Sequence, residues 1–382
     1  MWSDEEKRDR ELCLRRFLHK FVFSTKRRKK KKMRYSFIIP VYNRPDETDE
    51  LLESLSKQTF RDFEVLVVED GSQITCQQVV QAHAAQMPIK YFSKPNSGPG
   101  QTRNYGAERS QGEYLIFLDS DCVLPPEYLE AVERELSQDK CDAFGGPDRS
   151  HPSFTPIQKA ISYSMTSFFT TGGIRGGRKK LDRFYPRSFN MGILASLYRR
   201  LGGFSQMRFG EDIDLSIRII QSGASCRLFP EAWVWHKRRT DLRKFFRQVH
   251  NSGIARINLY KKYPSSLKLV HLLPAVFTLG MTFLLLLFVA GISMGIFLHA
   301  SVWGEWGYYI AGLSVLLPLL YSLTIMADST RQNGSAWIGL LSVAASYVQL
   351  IGYGTGFLRA WWLRCVCGCN EELQAFRETF YK

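Results

Sequence analysis

Between Leu269 and Arg359 the chain almost loses its charge. Residues 269–304 contain no Asp, Glu, Lys or Arg, and two more charge-free runs lie between Glu305 and Asp328 and between Arg331 and Arg359. A helix needs about 20 mainly apolar residues to cross a bilayer, which the stretch PAVFTLGMTFLLLLFVAGISMGIFL provides. Three helices buried in one large soluble core would be the alternative, but uncharged apolar runs of this length are rare there. The third run is the weakest, because it carries Gln349 and several Gly, Ser and Tyr. A full span, a re-entrant helix and a tilted helix are all open for it.

Orientation follows from Lys and Arg, which concentrate on the cytoplasmic side of membrane segments. Ahead of the first run stand Lys237, Arg238, Arg239, Arg243, Lys244, Arg247, Arg256, Lys261, Lys262 and Lys268, opposed only by Asp241. The first span is therefore expected to leave residues 1–268 in the cytoplasm, and the second to return at Arg331. A third complete crossing would put Arg359, Arg364, Arg377 and Lys382 on the far side, against the same bias.

The formal net charge of +15 divides unevenly: +9 on residues 1–34, +6 on residues 35–268 and zero on residues 269–382. The run KRRKKKK at 26–32 has the composition of a nucleic-acid arm, but with membrane spans downstream a segment lying on anionic lipid is the stronger reading. No cleavable secretory signal is expected, since FLHKFVF is broken by His19 and Lys20, and Met33 is an alternative start. Cys13, Cys76, Cys122, Cys141 and Cys226 are scattered singly and are expected as free thiols. Cys365, Cys367 and Cys369 lack zinc-site spacing and a lipidation motif.

Residues 35–121 alternate apolar runs with amphipathic ones. YSFIIPV (Tyr35–Val41), FEVLVVEDGS (63–72), IKYFS (89–93) and EYLIFLDSD (113–121) read as buried strands, with helices at 48–59, 76–86 and 98–109 between them. Continuously apolar strands in a β-α-β-α-β-α-β order argue a mostly parallel, Rossmann-like α/β sheet. Ligands of such sheets bind outside the carboxyl ends of the strands, where the polar clusters fall.

Asp119-Ser120-Asp121 ends the fourth strand. One acid there can simply cap a helix; two at i and i+2 also make a hard-oxygen site for Mg²⁺ or Mn²⁺. Glu69-Asp70-Gly71-Ser72 ends the second strand as a turn, or as carboxylates able to hold a base edge or ribose hydroxyl. Glu211, Asp212 and Asp214 open a helical pattern, where acids complement the macrodipole or serve as a general base. His236 closes the apolar segment AWVW, as a structural histidine or as a metal or phosphate contact.

FIIPVYNR, VLVVEDGS, Arg103-Asn104 in a Gly-rich turn, LIFLDSD, Asn190-Met191-Gly192, Leu201-Gly202-Gly203-Phe204 and GEDIDL together resemble family 2 glycosyltransferases of the GT-A fold, from about Tyr35 to Tyr260. The resemblance implies a nucleotide-sugar donor, a divalent metal (Mg or Mn) and inverting displacement at the anomeric carbon. It implies that Pro40, Tyr42 and Asn43 line the nucleotide pocket and that Asp70 holds the base. Arg103, Gly202 and Gly203 would belong to the donor site, Asp119 and Asp121 would take ribose and metal with His236 as a third metal contact, and Asp212 of the Glu211-Asp212 pair would be the catalytic base. Processive relatives carry Gln-x-x-Arg-Trp, whereas FFRQVHNSGIARINLY holds Gln248 and Arg256 without that spacing or the Trp, so a polymer channel is not expected.

The expected organisation is a basic extension (1–34), a GT-A domain (35–236), a basic amphipathic interfacial segment (237–268), two to three transmembrane helices (269–363) and a tail (364–382). The loop TGGIRGGRKKLDRF (171–184) reads as a lid over diphosphate or lipid phosphate, or as a solvated loop. The expected protein is an inverting transferase of a bacterial inner membrane, with its catalytic domain cytoplasmic and a lipid-linked or glycan acceptor. Its partners would be the donor, the acceptor and membrane lipids, without nucleic acid. A non-catalytic scaffold on a degenerate transferase fold is the alternative, and a nucleic-acid-binding arm a weaker one.

Overall fold

The computed structural model describes residues 33–171, 184–207 and 209–369. The basic run 26–32, nearly all of loop 171–184 and the tail beyond Cys369 lie outside the described residues.

The four expected strands form: β1 (Tyr35–Val41), β2 (Phe63–Asp70), β3 (Ile89–Lys94) and β4 (Tyr114–Leu118). Three short strands enlarge the sheet: β6 (Ala143–Gly145), β8 (Asn190–Leu194) and β9 (Cys226–Leu228). The order is β3-β2-β1-β4-β8-β6-β9. The first four strands are mutually parallel, and β8 runs antiparallel to β4 and β6. A second sheet, β5 (Cys122–Val123), β10 (Val234–His236) and β7 (Asp148–Arg149), stands at the carboxyl end of β4.

Every strand residue from Tyr35 to Ile39 is buried, as a parallel strand covered on both faces requires. The pleat divides these residues between two cores. Phe37, Ile39, Val65, Val67, Ile116 and Leu118 share one with α1 (Pro45–Ser56), α2 (Gln77–His83) and α4 (Tyr128–Gln138). Ile38, Leu115 and Phe117 share the other with α3 (Pro99–Arg109), α7 (Ala195–Arg200) and α8 (Glu211–Gln221). Two further helices, α5 (Pro156–Thr166) and α6 (Phe168–Thr171), lie between β7 and β8 in sequence. Helix α1 starts three residues before the expected Thr48 because Pro45, whose ring fixes φ and whose missing N–H costs nothing there, occupies the first turn.

β1 leads through α1 to β2 on one side, while β4 flanks it on the other, so chain order reverses between β1 and β4. Pairing of β1 with β4 stops at Ile38, and Pro40 lies where the two strands have parted. This crevice is the switch point at which open α/β sheets bind ligands.

Helix α9 (Leu242–Lys262) follows the second sheet, and three long apolar helices come after it: α10 (Leu273–Phe297), α11 (Val302–Asn333) and α12 (Ala336–Trp361). All three are long and apolar enough to cross a membrane, with mean hydropathies of 2.4, 2.0 and 1.4, the third window continuing to Val366. Leu279, Phe283, Leu285, Leu286, Leu313 and Leu317 on the first two are exposed, a surface suited to lipid rather than water. A Cβ on Gly291 would lie 2.5 Å from the Gly307 carbonyl oxygen, so α10 and α11 touch through small residues as membrane helices do. Helix α9 is tied to the α/β domain at both ends. Arg238, just before it, pairs with Asp148. Asp214 accepts from Lys262 Nζ at 2.6 Å and Tyr263 Oη at 3.0 Å, and from Arg218 Nε at 2.9 Å.

Burial raises the Asp214 carboxyl, but Lys262 and Arg218 outweigh it and the net direction is down from 3.8. A depressed carboxyl stabilises the fold above its unfolded pKa and ceases to do so as pH falls through the folded value. Asp214→Asn is therefore expected to lower the melting temperature at pH 7 and to flatten its decline below about pH 4. A Cβ on Gly146 would lie 1.6 Å from the Ala232 carbonyl oxygen, next to β10. Gly146→Ala is expected to cost about 1–3 kcal/mol by overpacking, read as a lower melting temperature.

Candidate active site

The carboxyl ends of β1, β2 and β4 bring three polar loops together, and α3, α8 and β10 close the site around them. Asn43, just beyond β1, has φ +51°, a left-handed conformation that Asn tolerates better than most residues. Its Oδ1 accepts from Gln73 N at 2.8 Å and Ile74 N at 3.0 Å, tying the β1 loop to the β2 loop. Asp70 is buried, and its carboxylate accepts from Ser97 N and Gly98 N, both at 2.9 Å, and from Lys94 Nζ. Asp70 thus shapes the turn into α3 while facing the same loop region as Asn43. Pro40 and Tyr42 are half-buried on either side of Val41.

Arg103 on α3 is 3% exposed. Its Nη2 donates to Asp119 Oδ1 at 2.6 Å and its Nη1 to Glu211 Oε1 at 3.2 Å, so one cation joins the end of β4 to the start of α8. Phe204 lies beneath the guanidinium at 5.3 Å. Gly202 and Gly203, at φ +74° and +67°, turn the chain so that Phe204 reaches that place. A Cβ on Gly203 would lie 2.5 Å from Asn104 Oδ1, which accepts from Phe204 N at 2.9 Å. The glycine pair therefore acts on Arg103 through Phe204 and Asn104.

Asp121 Oδ2 accepts from Arg44 Nη1 at 2.6 Å across the β1–β4 crevice. Its Oδ1 is buried, without a hydrogen bond, and 3.2 Å from His236 Nε2. The imidazole stacks on Phe189 at 5.0 Å, and its Nε2 lies 3.9 Å from Asp119 Oδ2. Burial pulls His236 down, but Asp121 and then Asp119 outweigh it and the imidazole is raised. Burial pushes Asp121 up, but His236 and then Arg44 hold it well below the usual carboxylate range.

These donors fit a small divalent cation. Two ligands each about 2.1 Å from one ion lie near the observed His236–Asp121 separation, and Asp121 Oδ1 is the orphaned acceptor such an ion would satisfy. Cys122 lies close enough to join the group. Burial, then Asp121, raises its thiol well above the normal range, and its Sγ faces the Phe189 carbonyl at 3.5 Å. Asp121 and His236 are the donors close enough to share an ion, and Asp119 Oδ2 lies 3.9 Å from His236 Nε2.

Asp212 Oδ2 accepts from Arg187 Nε at 2.7 Å and its Oδ1 from Ile213 N at 2.8 Å. Burial raises it, but Arg187 and that N–H outweigh it, and the net direction is down. Its neighbour differs: burial, then repulsion from Asp212, pushes Glu211 up to about 7 against the pull of Arg103. Adjacent acids in one helix turn thus take opposite proton affinities.

The structure brings Arg103, Asp119, Asp121, Glu211, Asp212 and His236 into one network and places Pro40, Tyr42, Asn43 and Asp70 on the adjoining loops. Arg44 and Arg187 were not singled out by the sequence, although each holds one of the predicted acids. Their signal is weak: each is one arginine among many, with its partner 77 and 25 positions away.

The glycosyl transferase family 2 model matches residues 36–201. An uncharacterised glycosyltransferase of Rickettsia bellii is 43% identical over 201 residues, 50% of this chain and 28% of its own. One of Haemophilus influenzae is 39% identical over 189 residues, 49% of this chain and 62% of its own. The chain thus spans less than two thirds of the length of either relative. The mannosyltransferase PcManGT from Pyrobaculum calidifontis, solved with GDP-Man and Mn²⁺, aligns over 88% of this chain and 89% of its own at TM-score 0.53 and 14% identity, a likeness of fold. Residues 36–201 are thus similar to family 2 glycosyl transferases, within an α/β domain of GT-A-like fold that is followed by three long apolar helices.

Proposed function

We propose that the protein is a membrane-anchored, inverting glycosyltransferase that moves a sugar from a nucleotide-sugar donor to a hydroxyl of a lipid-linked or glycan acceptor, on the cytoplasmic face and with a divalent cation. The observation that carries this reading is the convergence of Asp119, Asp121 and His236 with Glu211 and Asp212 around Arg103, at the switch point of the sheet. The family domain supports it, as does a fold neighbour solved with a nucleotide sugar and Mn²⁺.

The β1 and β2 loops, joined by Asn43 and shaped by Asp70, offer the nucleotide its pocket, with Pro40 and Tyr42 at its side. Asp119, Asp121 and His236 would hold the cation, and His236 would release its proton as they do so. When bound, the cation offsets the negative charge that develops on the leaving diphosphate. Arg44 and Arg103 keep Asp121 and Asp119 oriented.

Asp212 is the general base. Arg187 holds it ionised, and its Oδ1 is anchored on the Ile213 N–H, so Oδ2 is the atom that exchanges Arg187 for the acceptor hydroxyl and takes its proton. Glu211 acts through Arg103 as a positioning residue. A single displacement needs no second carboxylate as nucleophile, and attack opposite the leaving group inverts the anomeric centre.

Asp212→Asn is expected to lower sugar transfer by about 10²-fold or more while nucleotide binding, read by calorimetry, is kept. Full transfer by that variant would end the assignment. Nucleotide sugars screened with Mn²⁺ or Mg²⁺ are expected to raise the melting temperature, the rise growing with the logarithm of affinity. EDTA and Asp121→Asn should each remove that rise. A non-catalytic scaffold would instead show no nucleotide-dependent shift with either metal.

A further inference from the structure

We infer that α12 does not cross the bilayer but lies at the membrane surface beside α9, with its outward Trp337, Leu340, Trp361 and Trp362 against the anionic lipid headgroup layer. The inference requires α10 and α11 to span the membrane and is independent of the transfer reaction proposed above.

The argument rests on what α12 touches. Its contacts with α9 advance in the same direction along both helices. Val249 meets Gly352, where a Cβ would lie 2.6 Å from the valine, and His250 Nδ1 lies 3.1 Å from Thr355 Oγ1. A Cβ on Gly253 would lie 2.2 Å from the Tyr353 carbonyl oxygen. Arg364 Nη1, just past α12, donates to Asn258 Oδ1 at 2.7 Å. Upstream, Leu341, Ala345 and Val348 pack with Ala160 and Ile161 of α5 and Phe245 of α9. From Leu341 to Arg364, about 34 Å of helix, α12 is never away from the α/β domain or α9. Its predecessor is held there too, since Tyr163 of α5 donates to Asp328 near the end of α11 at 2.6 Å.

Helix α12 also packs on Thr278 of α10 and on Ser322 and Ser329 of α11, but a helix held along α9 from Phe245 to Asn258 can cross the hydrocarbon only if α9 crosses with it. Helix α9 cannot. It carries Arg243, Lys244, Arg247, Arg256, Lys261 and Lys262, and a central Arg or Lys costs about 3 kcal/mol on the insertion scale. Both its ends are paired with carboxylates of the α/β domain. The two helices therefore share one depth, that of the interface. Arg243, Lys244 and Lys261 are exposed for anionic headgroups. The three outward residues of α12 and Trp362 just past it are 44–60% exposed, and tryptophans favour this boundary. In a spanning helix, tryptophans at both ends would mark two opposite interfaces; here both ends return to the same domain. Arg359 and Arg364 then stay on the basic side, and the charge-bias conflict posed by a third crossing disappears.

Cysteines already present report the outcome. Cys365, Cys367 and Cys369 are exposed, whereas Cys76, Cys122 and Cys141 are buried. In a Cys13→Ser, Cys226→Ser background, a membrane-impermeant maleimide is applied to sealed vesicles of both orientations. Ser137→Cys on the α/β domain and His299→Cys in the α10–α11 turn serve as reporters of the two faces. The cluster is expected to label from the same face as Ser137→Cys and opposite to His299→Cys. Labelling together with His299→Cys would overturn the inference. A nitroxide on Leu340→Cys gives a second reading in the full-length protein. It is expected to meet a water-soluble nickel chelate more readily than one on Leu286→Cys, and equal depth for the two would also overturn the inference.

Discussion

A guanidinium almost without access to water has to be balanced by carboxylates, and Arg103 obtains two from distant parts of the chain. Its pairing with Asp119 and Glu211 fixes the end of β4 against the start of α8. The rest of the site follows from that constraint. With Glu211 turned inward to Arg103, Asp212 points to Arg187, and two consecutive acids acquire different environments. With Asp119 held by Arg103 and Asp121 by Arg44, their remaining oxygens face His236. A buried ion pair of this kind contributes little net stability, because desolvation offsets the attraction, but losing one partner leaves an uncompensated charge. Its effect here is on geometry.

The same helix start also connects to the membrane side. Glu211, Asp212 and Asp214 are read from one short acidic motif, yet they do different things. Asp214, one turn further round α8, faces away from the crevice and binds Lys262 and Tyr263 at the end of α9. The acids nearest the crevice and the acid that anchors the basic helix are thus a few residues apart. That arrangement couples the position of α9 to that of the candidate active site through one rigid turn.

Much of this was legible in the sequence where one physical signal dominated. Strands β1, β2 and β4 are continuous apolar runs, the last two ending in acids, and parallel strands buried on both faces must look apolar throughout. The acids themselves were legible because a carboxylate at a strand end has few reasons to be there. What the sequence hid were short-range geometry and long-range partners. The second sheet consists of strands of two or three residues, too short to show a period, although it presents His236. Arg44 and Arg187 gain meaning only from acids far along the chain. Gly202 and Gly203, expected at the donor, have a backbone conformation that also places Phe204 beneath Arg103. The third apolar run looked ambiguous from its Gly, Ser and Gln349, and glycines such as Gly352 and Gly356 are where α12 meets α9.

The shortness of the link between β10 and α9 sets a working distance. His236 and Leu242 are six positions apart, at most about 20 Å of fully extended chain. If α9 lies among the headgroups as inferred above, the crevice opens within that height above the bilayer. A group carried on a lipid would reach it by standing slightly proud of the surface, while a freely diffusing glycan would have to enter the narrow gap between protein and membrane. On that placement the link would act as a gauge of height, favouring the lipid-linked acceptor proposed above.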